Sequence, residues 1–115
     1  MNLTEFEMVK NDRQPSILAT LRYSDGSAVN LTGATVKFHM SKDGVILINA
    51  AAVVVAPATG GVVRYDWTAL DTAVILGSDG FCRCKGEFEV TFSDATIMTF
   101  PTKGDFQIIF RNEYA

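Results

Sequence analysis

Gly80-Phe81-Cys82-Arg83-Cys84-Lys85-Gly86-Glu87-Phe88-Glu89-Val90-Thr91-Phe92 is the stretch whose reading decides the fold. From Cys82 onward every even position is apolar or small, while Arg83, Lys85, Glu87, Glu89 and Thr91 fill the odd ones. Successive side chains of a strand point to opposite faces, so this period of two predicts one long strand with a core side and a water side. Both cysteines fall on the core side. Two apart along one strand, they could form a disulfide only with heavy strain, so they are expected as reduced, buried thiols that pack like small hydrophobes.

Working outward, further runs alternate in the same way. Residues 6–10, 16–23, 35–41, 62–67, 96–100 and 105–111 read as strands, with Ile17, Ala19, Leu21 and Tyr23 inward in one and Val36, Phe38 and Met40 inward in the next. Val63, Tyr65 and Trp67 share a face, as do Phe106, Ile108 and Phe110. Turn chemistry separates the runs at Ser24-Asp25-Gly26, Lys42-Asp43-Gly44, Thr59-Gly60-Gly61, Ser78-Asp79-Gly80 and Ser93-Asp94-Ala95. Asp-Gly supplies positive φ at little cost and so punctuates hairpins. Strands recurring every eight to twelve residues or so predict an all-β, antiparallel sandwich of about seven to eight strands rather than βαβ units.

Size and charge narrow the class. The 115 residues are expected to form one domain over 1–115, since a chain near this size buries roughly two thirds of its unfolded surface and needs no staples. Ten Lys and Arg stand against 13 Asp and Glu, a net charge of -3, and the basic residues are scattered singly. That argues against nucleic acid as a partner. The opening Met1-Asn2-Leu3-Thr4-Glu5 lacks a basic region and an apolar run, so synthesis and folding in a reducing cytoplasm are expected. The sequons at Asn2 and Asn30 then carry no glycan.

Residues 45–56, Val45-Ile46-Leu47-Ile48-Asn49-Ala50-Ala51-Ala52-Val53-Val54-Val55-Ala56, break the alternation with a single polar side chain. The run falls short of the roughly 20 apolar residues a membrane crossing needs, so no insertion is expected. A strand apolar on both faces needs cover on both. Either it runs through the middle of the fold, with Ala50 to Ala52 a tight crossing between sheets, or its outer face meets another protein. On the second reading Val45, Ile46, Leu47, Ile48, Val53, Val54 and Val55 are the candidate interface, with Ile46, Ile48 and Val54 on one parity and Val45, Leu47, Val53 and Val55 on the other. Residues 68–77 are the other irregular stretch. Thr68-Ala69-Leu70-Asp71 resembles a capping box, which permits a short helix with Leu70, Val74 and Leu76 tucked beneath it.

Catalytic chemistry is hard to find. The sole histidine, His39, falls on a polar face between Lys37 and Ser41. Two cysteines with one residue between them do not make a zinc site, which takes four ligands. Asp25, Asp43, Asp79 and Asp94 lie in predicted turns and are explained by turn formation without calcium. Glu87 and Glu89 share a face with Arg83 and Lys85, the mixed signs of an ordinary solvated strand rather than a glycosidase pair. No enzyme activity, cofactor or metal is expected.

Asp25-Gly26, the run from Val29-Asn30-Leu31-Thr32-Gly33-Ala34 through Met40, Gly61-Val62-Val63-Arg64-Tyr65, Asp79-Gly80-Phe81, Glu87 to Thr91, Thr99-Phe100-Pro101 and Phe106-Gln107-Ile108 together resemble the N-terminal domain of phage baseplate upper proteins. The likeness covers about residues 6–110. It implies an immunoglobulin-like sandwich, no catalytic residues, and a structural place in the virion. Proteins of that family continue into a helical linker and a docking domain, whereas this sequence ends at Asn112-Glu113-Tyr114-Ala115. The attachment role of the module carries over, and its place on the particle stays open.

The function expected is therefore that of a non-enzymatic bacteriophage virion protein, in the tail or baseplate, contacting other virion proteins and forming homo-oligomers within the particle. A head-neck or capsid decoration protein of the same fold is the alternative, as is a carbohydrate-binding module. The last is disfavoured because Tyr23, Phe38, Tyr65, Trp67, Phe88 and Phe92 mostly fall on predicted core faces, leaving Phe81 and Tyr114. Substituting Cys82 or Cys84 by Ala or Val should cost about 1 kcal/mol or less in chemical denaturation, through packing alone. A larger loss, or loss of a bound metal, would assign the thiols a role.

Overall fold

In the computed structural model, which describes residues 5–101 and 106–112, eight strands make up nearly all the regular structure. They are β1 (Glu5–Val9), β2 (Ile17–Thr20), β3 (Thr35–Lys42), β4 (Val45–Val54), β5 (Val62–Tyr65), β6 (Phe81–Thr91), β7 (Ile97–Phe100) and β8 (Phe106–Arg111). The long strand β6 behaves as its alternation requires. Along β6, Cys82, Cys84, Gly86, Phe88 and Val90 are buried, and the odd positions face outward, exposed or partly so.

The larger layer runs β1-β8-β6-β3-β4, with β7 also paired to β6, and the smaller runs β4-β5-β2. β4 belongs to both. Up to Ala52 it pairs with β3, and from Val53 it pairs with β5. The crossing weighed for Ala50 to Ala52 is therefore present, and its small side chains have a physical use. Ala50 and Ala52 lie opposite Phe38 and Val36 and leave room at the bend for larger neighbours.

Phe38 sits at the centre of the core, fully buried, with ring centroids 4.5 Å from Tyr65, 5.3 Å from Phe88, 5.9 Å from Trp67 and 6.3 Å from Phe106. Phe88 and Phe106 belong to its own layer and Tyr65 to the other, so one side chain ties both sheets. Such pairs add about 0.5–1.5 kcal/mol each beyond the area they bury. Trp67 lies just past the end of β5, and its indole N–H donates to the Pro15 carbonyl at 3.1 Å. Gly86 lies opposite Phe106, whose ring fills the space a side chain would take.

Several expectations need correction. The sandwich is not wholly antiparallel, because β1 runs parallel to β8. No hairpin joins the first and last strands, so nothing in the connection forces opposite directions. No helix forms over residues 68–77. Its capping bonds do, with Thr68 N–H donating to Asp71 Oδ2 at 2.9 Å and Asp71 N–H to Thr68 Oγ1 at 3.3 Å, but only turns follow. Isolated short helices are marginal, and this segment has too little chain to propagate one. One 3-10 turn, at Ala58–Gly60, stands where only a break was expected. Tyr23, expected inward, is 38% exposed and meets the Phe100 ring edge-on at the rim. Residues 102–105 and Tyr114, on which parts of the reading fell, lie outside the described residues.

The turns follow their chemistry. Asp43 (φ 51) and Gly44 (φ 79) form a two-residue loop between paired Lys42 and Val45, with both residues at positive φ as a type I′ hairpin turn requires. Gly61 is a stricter case. Its φ is 70, and a Cβ there would lie 2.8 Å from the Leu21 carbonyl oxygen and 3.0 Å from Val29 N. Gly60 beside it has open space. Gly61→Ala should therefore cost on the order of 3 kcal/mol, from a left-handed non-glycine plus a backbone clash. Gly60→Ala should stay within about 1 kcal/mol of the parent. Urea midpoints of the two variants check this, and equal midpoints would contradict it.

Candidate functional site

Among residues 45–56 the apolar excess is divided by a β-bulge. Met40 pairs with Ile48 but Ser41 pairs with Ile46, so Leu47 is an extra residue in β4. An extra residue reverses the parity of everything beyond it. Ile46 consequently turns to the outer face, beside His39, Lys85 and Glu87. Leu47 turns instead to the end of the sandwich, beside Val74 and Cys82, and Val45 shares a side with its partner Lys42, which lines that same end.

This corrects the expected parity sets. Ile48 is 4% exposed and is core, so it leaves the candidate interface, and Val54 and Val55 are partly buried. Val45 (60%), Ile46 (67%), Leu47 (47%) and Val53 (43%) remain in water. They form two separate features because the bulge sends them in different directions.

The first feature is a stripe on the outer face of β4. Ile46, Asn49, Ala51 and Val53 are exposed along it, since Asn49 and Ala51 pair with the outward His39 and Lys37 of β3. Beyond β5, Leu18 of β2 continues the row, with Arg64 between it and Val53. Polar groups rim the stripe. Arg64 Nε lies 3.0 Å from Asp66 Oδ1, and His39 Nδ1 lies 3.6 Å from Glu87 Oε1.

The second feature is a groove of about 540 Å³ at the end of the sandwich, between the β3–β4 hairpin and residues 70–77. Val74, Leu76 and Cys82 give it an apolar floor, and Leu47, Leu70 and Ile75 form its rim. Leu70, expected beneath this segment, instead stands 88% exposed, and Ile75 is 86% exposed. Along residues 73–76 exposure alternates, so Val74 and Leu76 turn inward and Ile75 outward. Lys42 also lines the groove. Read from the sequence as a turn residue, it is instead the last residue of β3, on the core side after Met40.

The remaining titratable groups have structural duties. Hydrogen bonds within their own turns, from Ser27 to Asp25 and from Thr96 to Asp94, hold these carboxyls below their usual range, as Arg83 does for Asp79. Asp66 is held down by Ser16 first and Arg64 second. Burial pushes the Tyr65 phenol up, and its hydroxyl donates to Asp71 Oδ2 at 2.6 Å. Cys82 and Cys84 are buried free thiols with sulfurs 3.7 Å apart. Burial, and then Cys82 beside it, push the Cys84 thiol up to about 12. Among the described residues no three His, Cys, Asp or Glu side chains group as metal ligands, and no helix is long and apolar enough to cross a membrane.

No protein-family model matches the chain, and no curated protein does. Among solved structures, CopC from Methylosinus trichosporium OB3b aligns over 96% of this chain and 86% of its own, with 15% identity and a TM-score of 0.49. A likeness that distant carries no argument about function.

The thiols give a test of the site's chemistry. Cys84 is held neutral in the folded chain, so its contribution is complete below pH 9.0 and is lost as pH rises from there towards about 12. Urea midpoints should fall over that window, and the fall should shrink in Cys84→Val. Iodoacetamide should modify neither thiol in the native chain below pH 9.0 and both after unfolding. Rapid native alkylation would mean a reactive thiolate instead.

Proposed function

We propose that this chain is a non-enzymatic structural module of a bacteriophage particle, attached to neighbouring virion proteins through the outer stripe of β4. The tail or baseplate is the place favoured by the resemblance of residues 6–110. The observation that carries the reading is the stripe itself, where Ile46 and Val53 stand in water at 67% and 43% exposure within a polar rim. Burying such a side chain fully stabilises a protein by about 1.5–3 kcal/mol. Leaving Ile46 and Val53 exposed forgoes much of that, so stability of the isolated chain does not account for them. An apolar centre with a polar rim is the usual anatomy of a protein interface. Among the described residues the turn-bound aspartates are engaged by hydrogen bonds within their turns or by Arg83, which gives them a structural use.

Purified particles of the phage that encodes the chain should contain it by mass spectrometry, in a fixed ratio to a neighbouring structural protein. Complementation with Ile46→Lys or Val53→Lys should give a folded chain, by circular dichroism and melting, whose incorporation falls about tenfold or more. Absence of the parent chain from particles, or normal incorporation of both variants, would overturn the proposal.

A further inference from the structure

The groove at the end of the sandwich differs from the stripe in a way that points to a ligand. Its volume of about 540 Å³ lies within the range of roughly 300–1,000 Å³ typical of small-molecule sites, which are mostly apolar with a few placed polar groups. One cation is placed in it. Lys42 is partly buried on the core side of β3 and makes no ion pair among the described residues. Its side chain lines the groove beside Val74, Leu76 and Cys82, at the edge of the core. A cation in a low-dielectric setting attracts an anion more strongly than one in water.

Among the described residues one carboxylate, Asp71, also lines the groove. Asp71 Oδ2 accepts from the Tyr65 hydroxyl at 2.6 Å and from Thr68 N–H at 2.9 Å, which holds that carboxylate against the sandwich, and it makes no ion pair with Lys42. Asp43 beside Lys42 is exposed in the hairpin turn. We propose that the groove binds a small amphiphilic monocarboxylate, its aliphatic chain laid between Leu47, Leu70 and Ile75 over Val74, and its carboxylate against the Lys42 ammonium. A single lysine suits one carboxylate, whereas a phosphate is met by several cations or converging backbone N–H groups. The chain's net charge of -3 gives no general attraction for anions, so recognition rests on Lys42. The site lies apart from the β4 stripe and stands whether or not the chain is a virion protein.

Sodium decanoate is the probe, titrated into the intact chain by calorimetry and followed by amide NMR. The expected result is saturable binding of one decanoate per chain, with shifts at Leu47, Leu70 and Ile75. Decanol and decyltrimethylammonium should bind at least about tenfold more weakly, and Lys42→Gln should lose about tenfold for decanoate alone. Leu70→Ser with Ile75→Ser, both on exposed side chains that leave the fold intact, should weaken decanoate and decanol alike. Val53→Lys on the outer face should leave decanoate binding unchanged. No saturable binding, equal affinity for decanol, or an unaffected Lys42→Gln would overturn the proposal. So would sedimentation showing that the free chain dimerises through these groove residues, which would make a second copy the occupant.

Discussion

Everything in this fold depends on one strand serving two sheets. β4 pairs with β3 through Ala52 and with β5 from Val53, so the layers are joined through a continuous backbone as well as through side-chain packing. Small inward side chains at such a crossing let the sheets approach. Ala50 and Ala52 supply them opposite Phe38 and Val36. The space left beside them is filled by Phe38, whose contacts with Tyr65, Trp67 and Phe88 lock the layers in register. The small side chains of Ala50 and Ala52 are a geometric requirement of the crossing, while Ala51 between them faces out.

The same strand explains why the molecule carries apolar surface in two places. Strict alternation would put Val45, Leu47 and Val53 together on one face. The extra residue at Leu47 breaks that grouping, so that Ile46 joins Val53 outside while Leu47 and Val45 turn to the sandwich end with Lys42. Bulges are common where a protein re-aims a side chain. Here a single one separates the outer stripe of β4 from the groove at the end of the sandwich.

The polar chemistry is spent on the backbone. Asp25, Asp79 and Asp94 each accept a hydrogen bond from a backbone N–H two residues on, and these bonds hold the loops between strands. The thiols pack as small apolar groups, and the burial that raises Cys84 removes its nucleophilicity.

The strands, their inward faces and the hairpin turns were legible in the sequence because they obey local rules. Period two fixes which side of β6 is buried, and Asp43-Gly44 fixes a two-residue turn wherever the rest of the chain goes. The crossing at Ala50 to Ala52 was legible only as an alternative, since a short apolar run reads alike whether covered by its own chain or by a partner. The bulge at Leu47, the outward Leu70 and Ile75, and the parallel pairing of β1 with β8 were not legible at all. Each depends on which strand lies alongside and at what register, a choice made by packing between segments far apart in the chain. The sequence by itself determined which side chains need burial. Only the tertiary structure decided which of them, for want of room in one core, were left outside, and on which face.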